Sequence, residues 1–184
     1  MNSHHRPRRV RRAAATLLTT AVVAGALVAA PAHGEAVVYE TQDVTAEKPG
    51  EHVAYAAIDI PTGYTRDRAS WHQVVWHENV RQGRTISLHL RPDVGSVEGL
   101  AAERAAVAAQ PGYVEHAYVV NPLDDRVAAR WAYSLPAPGA GRPAPFVSVV
   151  LLGANRFEMT GRLDEKQHVK RIRRHIVRHL VFPS

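Results

Sequence analysis

Apolar and polar positions alternate with a period of two over much of the chain beyond residue 50, and this pattern predicts strands. The clearest case is Arg84 to Leu90, where Ile86, Leu88 and Leu90 share one face and Thr85, Ser87 and His89 the other. Arg126 to Leu135 sets Val127, Ala129, Trp131, Tyr133 and Leu135 against Arg130 and Ser134. His52 to Ile60 reads as a strand that stops at Pro61. Trp71 to Glu78 leads to the Arg84 run through Asn79 to Gly83, a Gly-containing connection that suits a hairpin. Tyr113 to Val120 and Arg156 to Gly161 are further strands. Phe146 to Leu152 is apolar almost throughout, the mark of a central strand covered on both faces.

Two segments are helical. Ser96 is suited to cap a helix that Pro111-Gly112 stops, and its alanine-rich face is expected to lie close against a sheet. From about Asp164 to Val181, the residues Val169, Ile172, Ile176 and Leu180 recur at helical spacing and form an apolar stripe. Asp164 and Glu165 in its first turn, and Arg178 and His179 in its last, complement the helix dipole. Hairpin-linked strands with two helices predict an α+β fold: an antiparallel sheet of about six to seven strands, with a helix in mid-chain and a C-terminal helix packed on it. Ahead of it, Ala36 to Tyr39 reads as a short strand and the polar run from Thr41 to Gly50 as loosely held. The expected organisation is therefore a flexible lead-in over 35–50 and a single domain over 51–184.

The first 34 residues follow a different plan, that of a secretory signal peptide. Arg6, Arg8, Arg9, Arg11 and Arg12 precede an uncharged stretch from Ala13 to Ala30, and no acidic residue occurs before Glu35. Two cleavage frames fit, one after Ala32 and one after Gly34. The apolar stretch is rich in Ala and Thr, which insert weakly into a bilayer, so cleavage and release are expected rather than a retained anchor. The chain contains no cysteine, which excludes a lipoprotein, disulfides, zinc–thiolate sites and cysteine nucleophiles. The formal net charge is +6, and the five n-region arginines supply all but one unit of it. The basic balance thus belongs to the targeting segment and gives no case for nucleic acid.

Candidate chemistry is sparse. His175 and His179 are the histidine pair at i,i+4 spacing, with His168 seven residues before the first. Arg171, Arg174 and Arg178 crowd the same helix, however, and no glutamate stands where a His-Glu-x-x-His motif needs it. Solvated histidines are the expectation, with no metal and no cofactor. No Gly-x-Ser-x-Gly elbow is present, Asp124-Asp125 suits an exposed turn, and Gly139-Ala140-Gly141 belongs to a Pro-rich loop. No catalytic residue is expected. Trp71, Trp76 and Trp131 are expected in the core. The conspicuous feature is the basic last helix, with Lys166, Lys170, Arg171, Arg173, Arg174 and Arg178. Lys170, Arg171, Arg174 and Arg178 are the candidate contacts to an anionic surface or partner.

The layout resembles the PsbP-like superfamily. Ile58-Asp59-Ile60-Pro61-Thr62-Gly63-Tyr64 is similar to its opening strand–Pro–x–Gly–aromatic turn, and Trp76-His77 through Leu90 to the hairpin that follows. Arg126 to Tyr133 and His175 to Phe182 resemble a strand with an aromatic pair and the closing helix. The resemblance spans roughly residues 52 to 182 and implies a non-enzymatic scaffold or binding module. Actinobacterial members are often exported, frequently as lipoproteins, a form that the missing cysteine rules out here. Function is therefore expected through contacts with an envelope or extracellular protein, or with an anionic surface, outside the cytoplasm. A small-ligand site for a lipid or wall fragment is the alternative, with hydrolysis a third possibility.

Overall fold

A computed structural model describes residues 36–46, 54–70, 72–79, 83–90, 96–121 and 126–182. The signal-peptide expectation, and the expectations for His52, Trp71, Asp124 and Asp125, lie outside the described residues. Among the described residues there are nine strands and two α-helices. They are β1 (Tyr39–Ala46), β2 (Ala54–Pro61), β3 (Tyr64–Ser70), β4 (Gln73–Glu78), β5 (Thr85–His89), α1 (Val97–Ala108), β6 (Val114–Val120), β7 (Val127–Ser134), β8 (Pro145–Leu152), β9 (Asn155–Arg162) and α2 (Lys166–His179). Seven strands form one antiparallel sheet in the order β3-β4-β5-β9-β8-β7-β6, and β1 and β2 form a separate antiparallel pair. The fold is α+β, with one helix in mid-chain and one at the C-terminal end.

Side-chain alternation divides the core between the two faces of the sheet. On one face Ile86, Leu88, Phe146, Val150, Phe157 and Met159 meet Val169, Ile172, Ile176 and Leu180 of α2, and Val44, Ile58 and Ile60 of the β1–β2 pair. On the other, Ala129, Trp131, Tyr133, Val147, Val149 and Leu151 lie under α1. Central β8 is therefore buried on both faces. The two tryptophans of the described residues are fully buried. Trp76 Nε1 donates to Gln42 Oε1 at 2.8 Å, and Trp131 Nε1 donates to the Tyr113 hydroxyl at 3.2 Å.

Four features differ from the sequence pattern. The loose lead-in expected over 35–50 is, from Tyr39 to Ala46, a strand in register with all of β2, and its compact unit runs from Ala36 to Ser184. Val44 is its buried anchor; one apolar residue among polar ones is too weak a period to read. Strand β3 is the second. It lies at the sheet edge with Thr65, Arg66 and Asp67 exposed, so its ladder with β4, not apolar content, makes it a strand. Third, a register shift between Val127 and Ala129 turns Val127 to the α2 face, away from Ala129 and Trp131. Fourth, α1 does not press its alanines on the sheet. Leu100 is its one buried residue, and charged side chains span the gap: Arg104 to Glu115, and Glu103 to Arg156. The cap is as expected, with Ser96 Oγ accepting from Gly99 N at 2.9 Å.

Helix α2 follows a 3-10 turn at Leu163–Glu165 and ends in a tail clamped to β2. Ala57 and Val181 exchange both backbone hydrogen bonds, at 2.9 and 3.0 Å. This clamp fixes which flank of α2 faces the β1–β2 pair and which faces β7. Among the described residues, no helix is long and apolar enough to cross a membrane.

Candidate functional site

Helical spacing sorts the polar residues of α2 into three groups around its buried stripe. Arg171, Arg174 and Arg178 are exposed on the crest. His175 and His179 lie on the flank toward β2, where Asp59 meets them. Lys166, Lys170 and Arg173 lie on the opposite flank, beside the apolar Val177.

On that opposite flank, α2 and β7 enclose a pocket of about 190 Å³ lined by Arg126, Val127, Arg130, Val150, Arg173, Arg174, Val177 and Arg178. Five of these eight residues are arginines and none is acidic. Arg173 is largely buried, and its Nη1 donates to Ser148 Oγ at 3.2 Å. Burial pushes its pKa below the ordinary arginine value, and the cations of Arg130 and Arg174 push it in the same direction. Arg130 Nε is buried with no hydrogen-bond partner among the described residues. Arg126 Nη2 donates to the carbonyls of Val177 and Arg178 at 3.3 and 3.2 Å, and so caps the last turn of α2. Guanidiniums gathered on one lining repel one another, as the effect of Arg130 and Arg174 on Arg173 shows, and they are complementary to an oxyanion, whose oxygens accept from the planar forks.

A second depression adjoins the first, sharing Arg126 and Val177. It has a volume of about 450 Å³, and Leu152, Leu180, Val181 and Phe182 give it an apolar wall. The two together have a cationic end and an apolar end.

Of the four residues read from the sequence, Arg174 and Arg178 line the arginine pocket. Lys170 sits apart, 5.8 Å above the Phe146 ring. Arg171 stands over the other flank, where its charge acts on the Tyr39 hydroxyl. Arg126 and Arg130 were not singled out from the sequence. The one available signal was Arg130 on the face of its strand opposite Trp131, the face that α2 covers.

Hydrolytic machinery is incomplete where it is hinted at. His116 Nε2 lies 3.0 Å from Ser134 Oγ, but Ser134 is 3% exposed. Burial lowers the His116 pKa first, and Lys166 and Lys170 lower it further. Those cations disfavour the imidazolium that a general base must become. The loop from Pro136 to Pro145 borders two pockets of about 660 and 470 Å³, and neither Trp131 nor Tyr133 lines them. Compared with known proteins, the chain matches no family model and no curated sequence.

Proposed function

We propose that this chain is an exported, non-enzymatic binding domain whose ligand is an anionic amphiphile of the cell envelope. The single observation that carries the binding mode is the junction at Arg126 and Val177 of a pocket holding five arginines with an apolar cleft. A phosphate head fits the guanidinium cluster, where charge-assisted hydrogen bonds replace its hydration. An alkyl portion buries against Leu152, Leu180, Val181 and Phe182, at roughly 25 cal/mol per Å² removed from water. Export is supported by the arginine-rich start and the uncharged stretch of the first 34 residues. The similarity in layout to PsbP-like scaffolds supports a binding role over a catalytic one.

Calorimetric titration of the chain with dodecyl phosphate, below its micelle concentration, tests the reading. Binding is expected to weaken with added salt and to exceed that of inorganic phosphate. Replacing Arg130 and Arg173 with Gln should reduce it at least about tenfold, and Val177→Asp should remove the advantage over inorganic phosphate. Arg171→Gln, on the far flank, should leave it unchanged. Equal affinity for dodecyl and inorganic phosphate, or full retention in the Arg130/Arg173 variant, would overturn the proposal.

A further inference from the structure

The other flank of α2 carries a different constellation. Asp59, from β2, brings its carboxylate to the two histidines of α2: Oδ2 lies 3.1 Å from His175 Nε2 and 3.9 Å from His179 Nδ1. One nitrogen of each imidazole and one carboxylate oxygen all lie within 4.8 Å of one another. We propose that Asp59, His175 and His179 bind a divalent cation of the Zn²⁺ class, which pins the β1–β2 pair to α2.

The donor set suits that ion. Two imidazoles and a carboxylate are borderline ligands, and three protein ligands leave a fourth position for water. In a tetrahedral zinc site, bonds of about 2.0–2.1 Å place neighbouring ligand atoms about 3.4 Å apart. The His175–Asp59 edge, at 3.1 Å, is already at that spacing. The His179 edges close by turning that side chain, which is 47% exposed. In turning, it exchanges its hydrogen bond to the His175 carbonyl, 2.9 Å long, for the metal bond.

Supporting contacts hold the other two ligands. Thr41 Oγ1 donates to Asp59 Oδ1 at 2.7 Å, which aims Oδ2 at the histidines. The His175 ring stacks on Tyr39 with centroids 3.7 Å apart and planes at 18°. Outer contacts of this kind orient metal ligands in known sites. The opposing charge is Arg171, one turn before His175. Arg173 and Arg174, whose charges act on each other, belong to the arginine side of the helix. Of the three exposed arginines of α2, Arg174 and Arg178 line the arginine pocket, and Arg171 does not. Binding replaces the hydrogen bond between His175 Nε2 and Asp59 Oδ2 by bonds from both atoms to the ion, with the neutral ring carrying its hydrogen on Nδ1.

The test is calorimetric titration of the untagged chain with Zn²⁺, paralleled by visible absorption on loading with Co²⁺. One ion per chain is expected, with a Kd on the order of 10 µM or tighter at neutral pH, and tetrahedral cobalt bands. Asp59→Asn and His179→Gln should each weaken binding at least about tenfold, Thr41→Val by about tenfold, and Arg171→Gln should tighten it. His77→Gln, at an exposed histidine of β4, should change nothing. Because Asp59→Asn also disturbs the hydrogen bond that joins β2 to α2, the exposed His179 carries the decisive comparison: Zn²⁺ should raise the melting temperature of the parent chain and not that of His179→Gln. Undiminished affinity in His179→Gln, or no binding up to about 1 mM Zn²⁺, would overturn the proposal.

Discussion

Arg173 Nη1 hydrogen-bonds Ser148 Oγ, which places a guanidinium against the one polar side chain of a strand otherwise buried and apolar from Phe146 to Leu152. The pocket lining offers this charge no carboxylate, and Arg130 and Arg174 oppose it. Burial and its two cationic neighbours thus make the charged form of Arg173 costly in the folded chain.

The first prediction follows from that relationship. Arg173→Met keeps much of the buried chain and removes the charge that Arg130 and Arg174 oppose, so it should stabilise the fold by about 1 kcal/mol while weakening oxyanion binding. Urea denaturation and phosphate-ester titration on the same preparation check both halves. A comparable loss of stability would show that the charge is compensated in the native state.

His89 should make stability depend on acid. Its pKa is pushed down to about 4, by burial first and then by Arg156 and His72. Between its ordinary value near 6.5 and about 4, the unfolded chain takes up a proton that the folded chain refuses. Stability contributed by the neutral ring is full above pH 6.5 and falls as pH drops toward 4. The ring is partly reached by solvent, so the loss is on the order of 1–2 kcal/mol. Denaturation midpoints measured from pH 7 to pH 4 should slope less steeply in His89→Gln, and an unchanged slope would refute the assignment.

Gly161 on β9 is where α2 approaches the sheet. A Cβ there would lie 2.5 Å from Val169 Cγ2. Gly161→Ala should therefore cost about 1–3 kcal/mol by overpacking. Combining it with Val169→Ala should cost less than the two single losses added, because the truncated valine yields the space. Additive losses in a denaturation cycle would mean that the helix shifts away instead.

The elements with strong period or punctuation were legible. The β5 and β9 faces, the apolar β8 run, the α1 cap at Ser96 and the α2 stripe all follow from residues two to four positions apart. Strand β3 and most of β1 were not, because edge and hairpin strands are held by backbone ladders that polar sequences form as readily as apolar ones. The arginine pocket was half legible. Arg174 and Arg178 stand in a visible charge run, whereas Arg126 and Arg130 are isolated letters in a strand, and the bulge at Val127 that helps shape the pocket wall leaves no period of its own.

By itself the sequence determined the α+β class, the central place of β8, the burial of Trp76 and Trp131, the helix stripe and the absence of cysteine chemistry. These depend on local spacing and on composition. Only the tertiary structure decided what the two flanks of α2 face. Arg126 reaches the end of α2 from 51 residues away, and Asp59 meets His175 across 116. The physical reason is that α2 is fixed from both sides, by its apolar stripe on β8 and β9 and by the Ala57–Val181 clamp to β2. Its rotation about its own axis is then set, and that rotation separates the arginines from the histidines.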